Sequence, residues 1–570
     1  MHSRMPAGSY VRKVVCIAFI VAMRSGWTAP PVVRGAEEKS YLRAGDEDVQ
    51  AWRELKFGLF IHWGPVSLKG TEIGWSRGGE RRGTGGKGEI PVEVYDNLYK
   101  QFNPVQFDAD EWVQMAKDAG MRYLVFTSKH HDGFSMFDSK LTDYKVTNSP
   151  FKRDVVKELA DACHKADLKL GYYYSPVDWY HPDYRTATHQ RYIEFLHGQL
   201  REICSNYGTI DIIWFDGLGG SAKDWDSETL IKMIRRLQPH VIINNRAGLP
   251  ADHDTPEQRI GGFQNDRPWE TCMTICQQWA WKPNDRMKSL KECIQTLVRV
   301  TGGDGNLLFN VGPMPDGRIE PRQMDRLKEM GDWLHRYGES IYGTRGGPIK
   351  ATAQLASTYK GNTIYVHVLA WPGETVTLPD LPRRILRSSL LTGGAGITRR
   401  TRDGIKIRVP PQHRQEIDTI VKLELDGPAG DIEPIPIASA SLASGKKAKA
   451  SNVFQNHQSY GPGKAFDDDP GTRWATDAGV KQAWIEVDLG KPMTFDRVAI
   501  SEAYDRVRQF ELQYKDGETW KTFLKGTGIG DEYAKSFTAV TARHVRLNIL
   551  EATDGPTIWE IHLLPPGKKR

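Results

Sequence analysis

Asp216 ends a mostly apolar run, Ile210–Phe215, broken only by Asp211, and is followed by Gly217. Ile210, Ile212, Ile213 and Phe215 favour β-structure, so the run reads as a buried strand that finishes in a carboxylate. Burying a carboxylate is costly unless it has a partner or a task. Asp-Gly is also ordinary turn chemistry, so this stretch alone leaves a capping role open. Other strand-like runs end in the same way. His62-Trp63 closes one, Lys129-His130-His131-Asp132 a second, Tyr173-Tyr174-Ser175 a third, and Asn244-Asn245-Arg246 another. Histidine, tryptophan, tyrosine and carboxylate together can line a sugar pocket, the aromatics against apolar ring faces and the polar groups on hydroxyls. Adjacent side chains such as His130 and His131 point apart on an extended chain, which argues against metal ligation, and no metal site is expected here.

Cleaving a glycosidic bond with retention takes a nucleophilic carboxylate and a carboxyl acid/base about 5–5.5 Å apart. Asp216 is the first candidate. Two glutamates follow it, Glu257 in Asp254-Thr255-Pro256-Glu257 and Glu270 in Pro268-Trp269-Glu270-Thr271. Trp269 offers an apolar wall that would raise a neighbouring carboxyl into an acid's range, which favours Glu270. Glu257 follows a proline, where it can simply open a turn.

The elements that must position these residues alternate. Strand-like runs at 57–63, 123–127, 168–174, 210–216, 241–245 and 306–311 are interleaved with helical patterns at 109–119, 155–166, 189–207, 228–237 and 287–301. Repeated β-then-α over this length predicts a (β/α)8-like TIM barrel, regular or irregular, with its polar residues gathered at the C-terminal ends of the strands. No glycine-rich phosphate cradle opens any of these helices.

With 17 Trp and 21 Tyr in 570 residues, the composition is that of a folded, multi-domain chain. The net charge of +6 lies partly in short clusters such as Arg399–Arg402 and Lys568–Arg570, with no basic face carrying interleaved aromatics, which argues against nucleic acid. Arg12-Lys13 precedes ten apolar residues, Val14–Met23, the pattern of a secretory leader and too short to span a bilayer. Residues 1–36 are therefore expected to be removed, leaving a secreted or periplasmic protein with no membrane insertion. Of the six cysteines, Cys16 falls in that leader, and Cys272 and Cys276 have no partners at zinc spacing. Free, buried thiols are expected.

Six stretches resemble the α-L-fucosidases of glycoside hydrolase family twenty-nine. They are Lys56–Gly64 (KFGLFIHWG), Tyr123–Phe134 (YLVFTSKHHDGF), Thr142–Arg153 (TDYKVTNSPFKR), Trp214–Gly217 (WFDG), Trp269–Ile275 (WETCMTI) and Gly305–Gly317 (GNLLFNVGPMPDG). The resemblance implies an exo-acting enzyme that releases terminal fucose by double displacement, without redox or organic cofactor. It makes Asp216 the nucleophile, and it assigns His62, His130 and His131 to fucose hydroxyls. Tyr173 and Trp214 match aromatics near the nucleophile, and Glu72 and Trp75 look like the acidic and aromatic pair that completes the pocket. Arg259 matches a sugar-binding arginine. The acid/base carries to Glu270, with Glu257 as the alternative. Two rival readings are a barrel glycosidase for another sugar, such as a galactoside, and a glycan-binding protein that has lost activity. The implied partner is a fucosylated oligosaccharide or glycoconjugate.

The barrel is expected over 37–346. Short alternating runs at 363–368, 375–378, 405–409 and 419–425 then predict an antiparallel sandwich over 347–427. A Pro/Gly-rich linker follows at 428–436. The last part, 437–566, resembles a discoidin-like, coagulation-factor C-type sandwich through Lys464–Thr476 (KAFDDDPGTRWAT) and Trp484–Gly490 (WIEVDLG). The predicted architecture is thus an α/β barrel followed by two all-β sandwich domains. Asp467, Asp469 and Thr472 are the residue types that would hold a structural calcium.

Overall fold

The computed structural model describes residues 41–566, apart from 438, 440, 470, 471, 531 and 532. The expected leader and Cys16 lie outside the described residues. Seven parallel strands form the first sheet: β1 (Phe57–Ile61), β2 (Tyr123–Lys129), β3 (Lys169–Tyr174), β4 (Ile212–Phe215), β5 (Ile242–Ile243), β6 (Glu270–Thr274) and β7 (Asn306–Val311), in the order β5-β4-β3-β2-β1-β7-β6. β5 and β6 are not paired with each other. The extended segment 253–257 lies between them, in parallel bridges Asn244↔His253, Asp254↔Trp269 and Glu257↔Cys272. The barrel is therefore irregular, with isolated bridges in place of one full ladder.

Amphipathic helices cover most of this sheet, and their starts are written locally. The Asp154 side chain accepts from Lys157 N–H at 3.0 Å to cap helix Val155–Ala166, and Ser289 and Glu292 form a reciprocal capping box on helix Leu290–Gly302. Within β4, Ile212 and Trp214 point into the barrel, while Ile213 and Phe215 pack outward against the helices. Phe60, Tyr123, Val125, Tyr173, Cys272 and Leu308 complete the interior layer. The same two-residue period carries Phe60 on to His62, Trp214 on to Asp216, and Leu308 on to Asn310, so these polar groups rise from one aromatic floor.

Arg345–Gly346 begins a five-stranded antiparallel sheet that packs with a three-stranded one around Val366, Ile405 and Leu423. The C-terminal sandwich is built on two 20-residue strands, Ala483–Glu502 and Tyr533–Ala552, whose pairing breaks register between Asp488 and Met493. Such irregularities let one strand serve two layers. Trp474 is fully buried in its core. Cys163, Cys204, Cys272, Cys276 and Cys293 are all free and buried. Among the described residues no helix is long and apolar enough to cross a membrane.

Candidate active site

Asp216 sits at the top of β4, where its carboxylate meets groups from three other elements. Tyr173 Oη, from β3, donates to Oδ2 at 3.0 Å, and His131 Nε2 lies 3.5 Å from the same oxygen. Arg246, just past β5, donates from Nη1 to Oδ1 at 3.2 Å. The guanidinium also lies over the Trp214 ring, 4.7 Å from its centroid, and Trp214 in turn stacks on Tyr173. Burial opposes the Arg246 charge, but Asp216, Cys272 and Glu257 outweigh it and hold its pKa above the ordinary value.

The same Arg246 Nη1 donates to Glu257 Oε2 at 2.7 Å. Two oxygens bound to one nitrogen at these lengths lie within about 6 Å of each other, under the roughly 6.5–9.5 Å that a pair admitting a water between them requires. The Glu257 side chain is 40 % exposed and meets the cleft through Arg246, which lines it. A cavity of about 570 Å³ opens here, lined by Asp216, Leu218, Asn245, Arg246 and Thr255 among others.

Glu270 is elsewhere, which departs from the expectation that it faces Asp216 as the acid. It is the first residue of β6, not the last, and its side chain enters the interior beneath the aromatic floor. Tyr123 Oη donates to Oε2 at 2.5 Å and Trp214 Nε1 to Oε1 at 3.0 Å, and the residue is only 1 % exposed. Burial pushes its pKa up to about 7. An acidic pKa is thus present as expected, but Trp214 stands between this carboxyl and the cleft.

Three buried imidazoles cluster beside Asp216 and Tyr173: His131 Nε2 is near the carboxylate, and the His62 and His130 ring centroids each lie 5.4 Å from that of Tyr173. Burial lowers His62 to about 3, and it also places His130 and His131 well below the ordinary histidine value. All three are neutral near pH 7, suited to exchanging hydrogen bonds with uncharged hydroxyls. His62 Nδ1 meets Asn310 Oδ1 at 2.7 Å, while Asn310 Nδ2 donates to the Trp279 carbonyl. An amide oxygen only accepts, so Nδ1 carries the proton and Nε2 is left as an acceptor. His130 stacks on Tyr173, and its Nδ1 has no protein partner. Gly74 makes room for this ring. Its φ is +67°, and a methyl group there would stand 2.6 Å from His130 Nδ1.

Glu72 accepts the backbone N–H groups of Ile73, Trp279 and Ala280, and so fastens Trp279 against His62 with ring centroids 4.8 Å apart. Burial raises the Glu72 pKa to about 7. Trp75 forms the rim, edge-on to His131 and Trp179. Arg259 lines a neighbouring cavity rather than the one over Asp216, so Arg246 is the guanidinium on the carboxylate. Trp279 and Asn310 were not among the residues expected from sequence, and Arg246 stood there only as part of a strand end, with no role given to it. Arg246 had a visible signal, a cation directly after the Asn244-Asn245 strand end.

In the C-terminal sandwich Thr472 Oγ1 donates to Asp467 Oδ1 at 2.8 Å. Glu560 faces the same loop with both carboxylate oxygens buried and unpartnered. Burial, then Asp467 and Asp468, push its pKa up to about 10. Asp468, Glu560 and His562 bring one ligand atom each within 4.8 Å of one another. Those orphaned oxygens fit a divalent cation, which Asp468, Glu560 and His562 would hold.

A family description, Alpha-L-fucosidase, matches residues 36–339, and a second, F5/8 type C domain, matches residues 447–563. Plasma alpha-L-fucosidase of Homo sapiens is 31% identical over 378 residues, covering 59% of this chain and 79% of that protein. Alpha-L-fucosidase isoenzyme 1 from Paenibacillus thiaminolyticus superposes with a TM-score of 0.61 at 36% identity, covering 67% of this chain and 99% of that one. A trapped covalent intermediate of a Bacteroides thetaiotaomicron alpha-L-fucosidase, in complex with 2-fluoro-fucosyl fluoride, superposes with a TM-score of 0.60 at 27% identity, covering 68% and 97%.

Proposed function

The chain belongs to the α-L-fucosidase family of glycoside hydrolases, and from that premise we propose that it removes terminal α-L-fucosyl residues from glycans with retention, through a covalent fucosyl ester on Asp216. The observation that carries this reading is the sharing of one Arg246 nitrogen by the Asp216 and Glu257 carboxylates. The covalent intermediate trapped in the Bacteroides relative supports it.

In the first step Asp216 attacks the anomeric carbon, and Glu257 gives its proton to the departing glycosidic oxygen. Tyr173 and Arg246 orient the attacking carboxylate. Esterification removes the Asp216 charge, which leaves Glu257 as the carboxylate that Arg246 neutralises. Glu257 then takes a proton from water as the water attacks the anomeric carbon, and the bond to Asp216 breaks to release it as a carboxylate. The neutral imidazoles of His62, His130 and His131 hold ring hydroxyls without introducing charge beside the developing oxocarbenium ion. Glu72 acts at one remove, by positioning Trp279. Glu270 supports the floor through Trp214.

The test is turnover of 4-nitrophenyl α-L-fucoside by wild type and by Asp216→Gly, with and without azide. We expect activity to collapse in the variant and to return in part with azide, as β-L-fucosyl azide. Undiminished turnover by Asp216→Gly would refute the assignment. On the leader-like pattern at 12–23 we also propose export to the periplasm or medium. Sequencing the N-terminus of the protein from its host tests this, and a full-length chain retained in the cytoplasm would overturn it.

A further inference from the structure

The cleft over Asp216 adjoins a second cavity of about 450 Å³, and the two share Asn245, Asp254 and Thr255. The second runs past Pro256 and Arg259 to Phe263 and Gln264. Trp269 of the barrel and two residues of another domain, Asp469 and Thr472 of the C-terminal sandwich, complete its lining. The two domains meet closely at this point. A methyl group on Gly262 would stand 3.0 Å from an Asp469 carboxylate oxygen.

The shared wall is firmly held. Asp254 accepts from Asn245 Nδ2 at 3.1 Å, from Arg267 Nε at 2.8 Å and from Gln264 Nε2 at 3.2 Å. Thr255 Oγ1 accepts from Arg246 Nε at 2.9 Å and donates to Asn245 Oδ1 at 2.8 Å. The wall is therefore hydrogen-bonded to the residue that holds both carboxylates.

We propose that this cavity is a subsite for the aglycone, taking the sugar residues to which fucose is attached, and that the C-terminal sandwich supplies part of it. The proposal rests on the assignment of Asp216 and Glu257 above. An acid that protonates the glycosidic oxygen must stand beside the leaving group. Glu257 belongs to the stretch whose neighbours Pro256 and Arg259 line the cavity, so the departing sugar lies along it. The lining suits a pyranose. Phe263 is half-buried and offers aromatic surface, and the Asp254, Asp469 and Gln264 side chains offer acceptors and donors for hydroxyls. A fucosylated oligosaccharide whose aglycone is a disaccharide or longer would reach both domains, whereas a simple aryl group would not.

The full chain tests this, through kcat/KM on a fucosyl-lactose trisaccharide divided by kcat/KM on 4-nitrophenyl α-L-fucoside. The variants are Phe263→Ala in the barrel and Asp469→Asn in the sandwich, each checked for an unchanged unfolding temperature. If the cavity binds the aglycone, the ratio falls about tenfold in both variants, the size of one lost contact at a specificity site. A ratio within twofold of wild type in both would overturn the subsite while leaving the fucosidase assignment intact. A wild type that turns over neither substrate would overturn the assignment and the subsite together.

Discussion

The assignment of the acid/base separates two glutamates that differ in what they touch, and paired substitutions discriminate them. Glu257→Ala removes a partly exposed carboxyl bound to Arg246 at 2.7 Å. General acid–base catalysis supplies about 10²–10⁴-fold, so kcat/KM on a fucosyl-lactose should fall by that factor, or about 3–5 kcal/mol of transition-state stabilisation. A nitrophenolate leaves with little help, so the aryl fucoside should lose less in the first step and accumulate the covalent ester instead. Azide, which needs no base, should then restore turnover and give α-L-fucosyl azide, with the configuration read by NMR. Glu270→Gln keeps an oxygen for the Trp214 N–H and replaces a buried carboxyl that meets only Tyr123 and Trp214. Its kcat/KM should stay within about threefold of wild type on both substrates, since no group touching the reacting atoms is removed. A variant Glu270→Gln that loses 10²-fold and is rescued by azide, beside an active Glu257→Ala, would refute the reasoning.

Glu270 should instead govern stability against pH. Its folded pKa of about 7 lies above the ordinary 4.5, so the folded state holds the proton more tightly than the unfolded one. Its contribution is greatest below pH 4.5, declines between 4.5 and 7 and is flat above, a total of about 3 kcal/mol. Denaturant unfolding at pH 5 and pH 8 should show a smaller loss in Glu270→Gln than in wild type, since Glu72, likewise raised to about 7, keeps its own share, and parallel profiles would contradict this. Gly74→Ala should cost on the order of 10²-fold in kcat/KM on the aryl fucoside, because the methyl would displace the His130 ring and the backbone is left-handed there. An unaffected rate constant would show that His130 is not held by this contact. Zinc, which suits two carboxylates and an imidazole, should raise the unfolding temperature of wild type and not of Glu560→Ala, by up to about 3 kcal/mol of stabilisation at a hundredfold excess over Kd. Equal shifts in the two proteins would rule out Glu560 as a ligand.

Much of this protein was determined by its sequence alone. Period and composition are local properties, so β4 with Asp216 at its end, the helix at 155–166 and the change to alternating strands after 347 could all be read without a structure. The histidines and Tyr173 likewise follow from strand ends and from motifs. The choice between Glu257 and Glu270 was not local. It depends on whether a carboxyl begins or ends a strand, and β6 and the segment 253–257 carry too few apolar, alternating residues to announce themselves. Their strand character comes from bridges to neighbours, Asp254 to Trp269 and Glu257 to Cys272, which exist only once the barrel has closed. The raised pKa inferred from Trp269 was correct in direction, yet burial that deep removes the carboxyl from the substrate's reach. Arg246, Asn310 and Trp279 became site residues for the same reason. Each is an ordinary polar or aromatic residue in the chain, and only the folding of separate strands onto one aromatic floor brings them to Asp216 and His62.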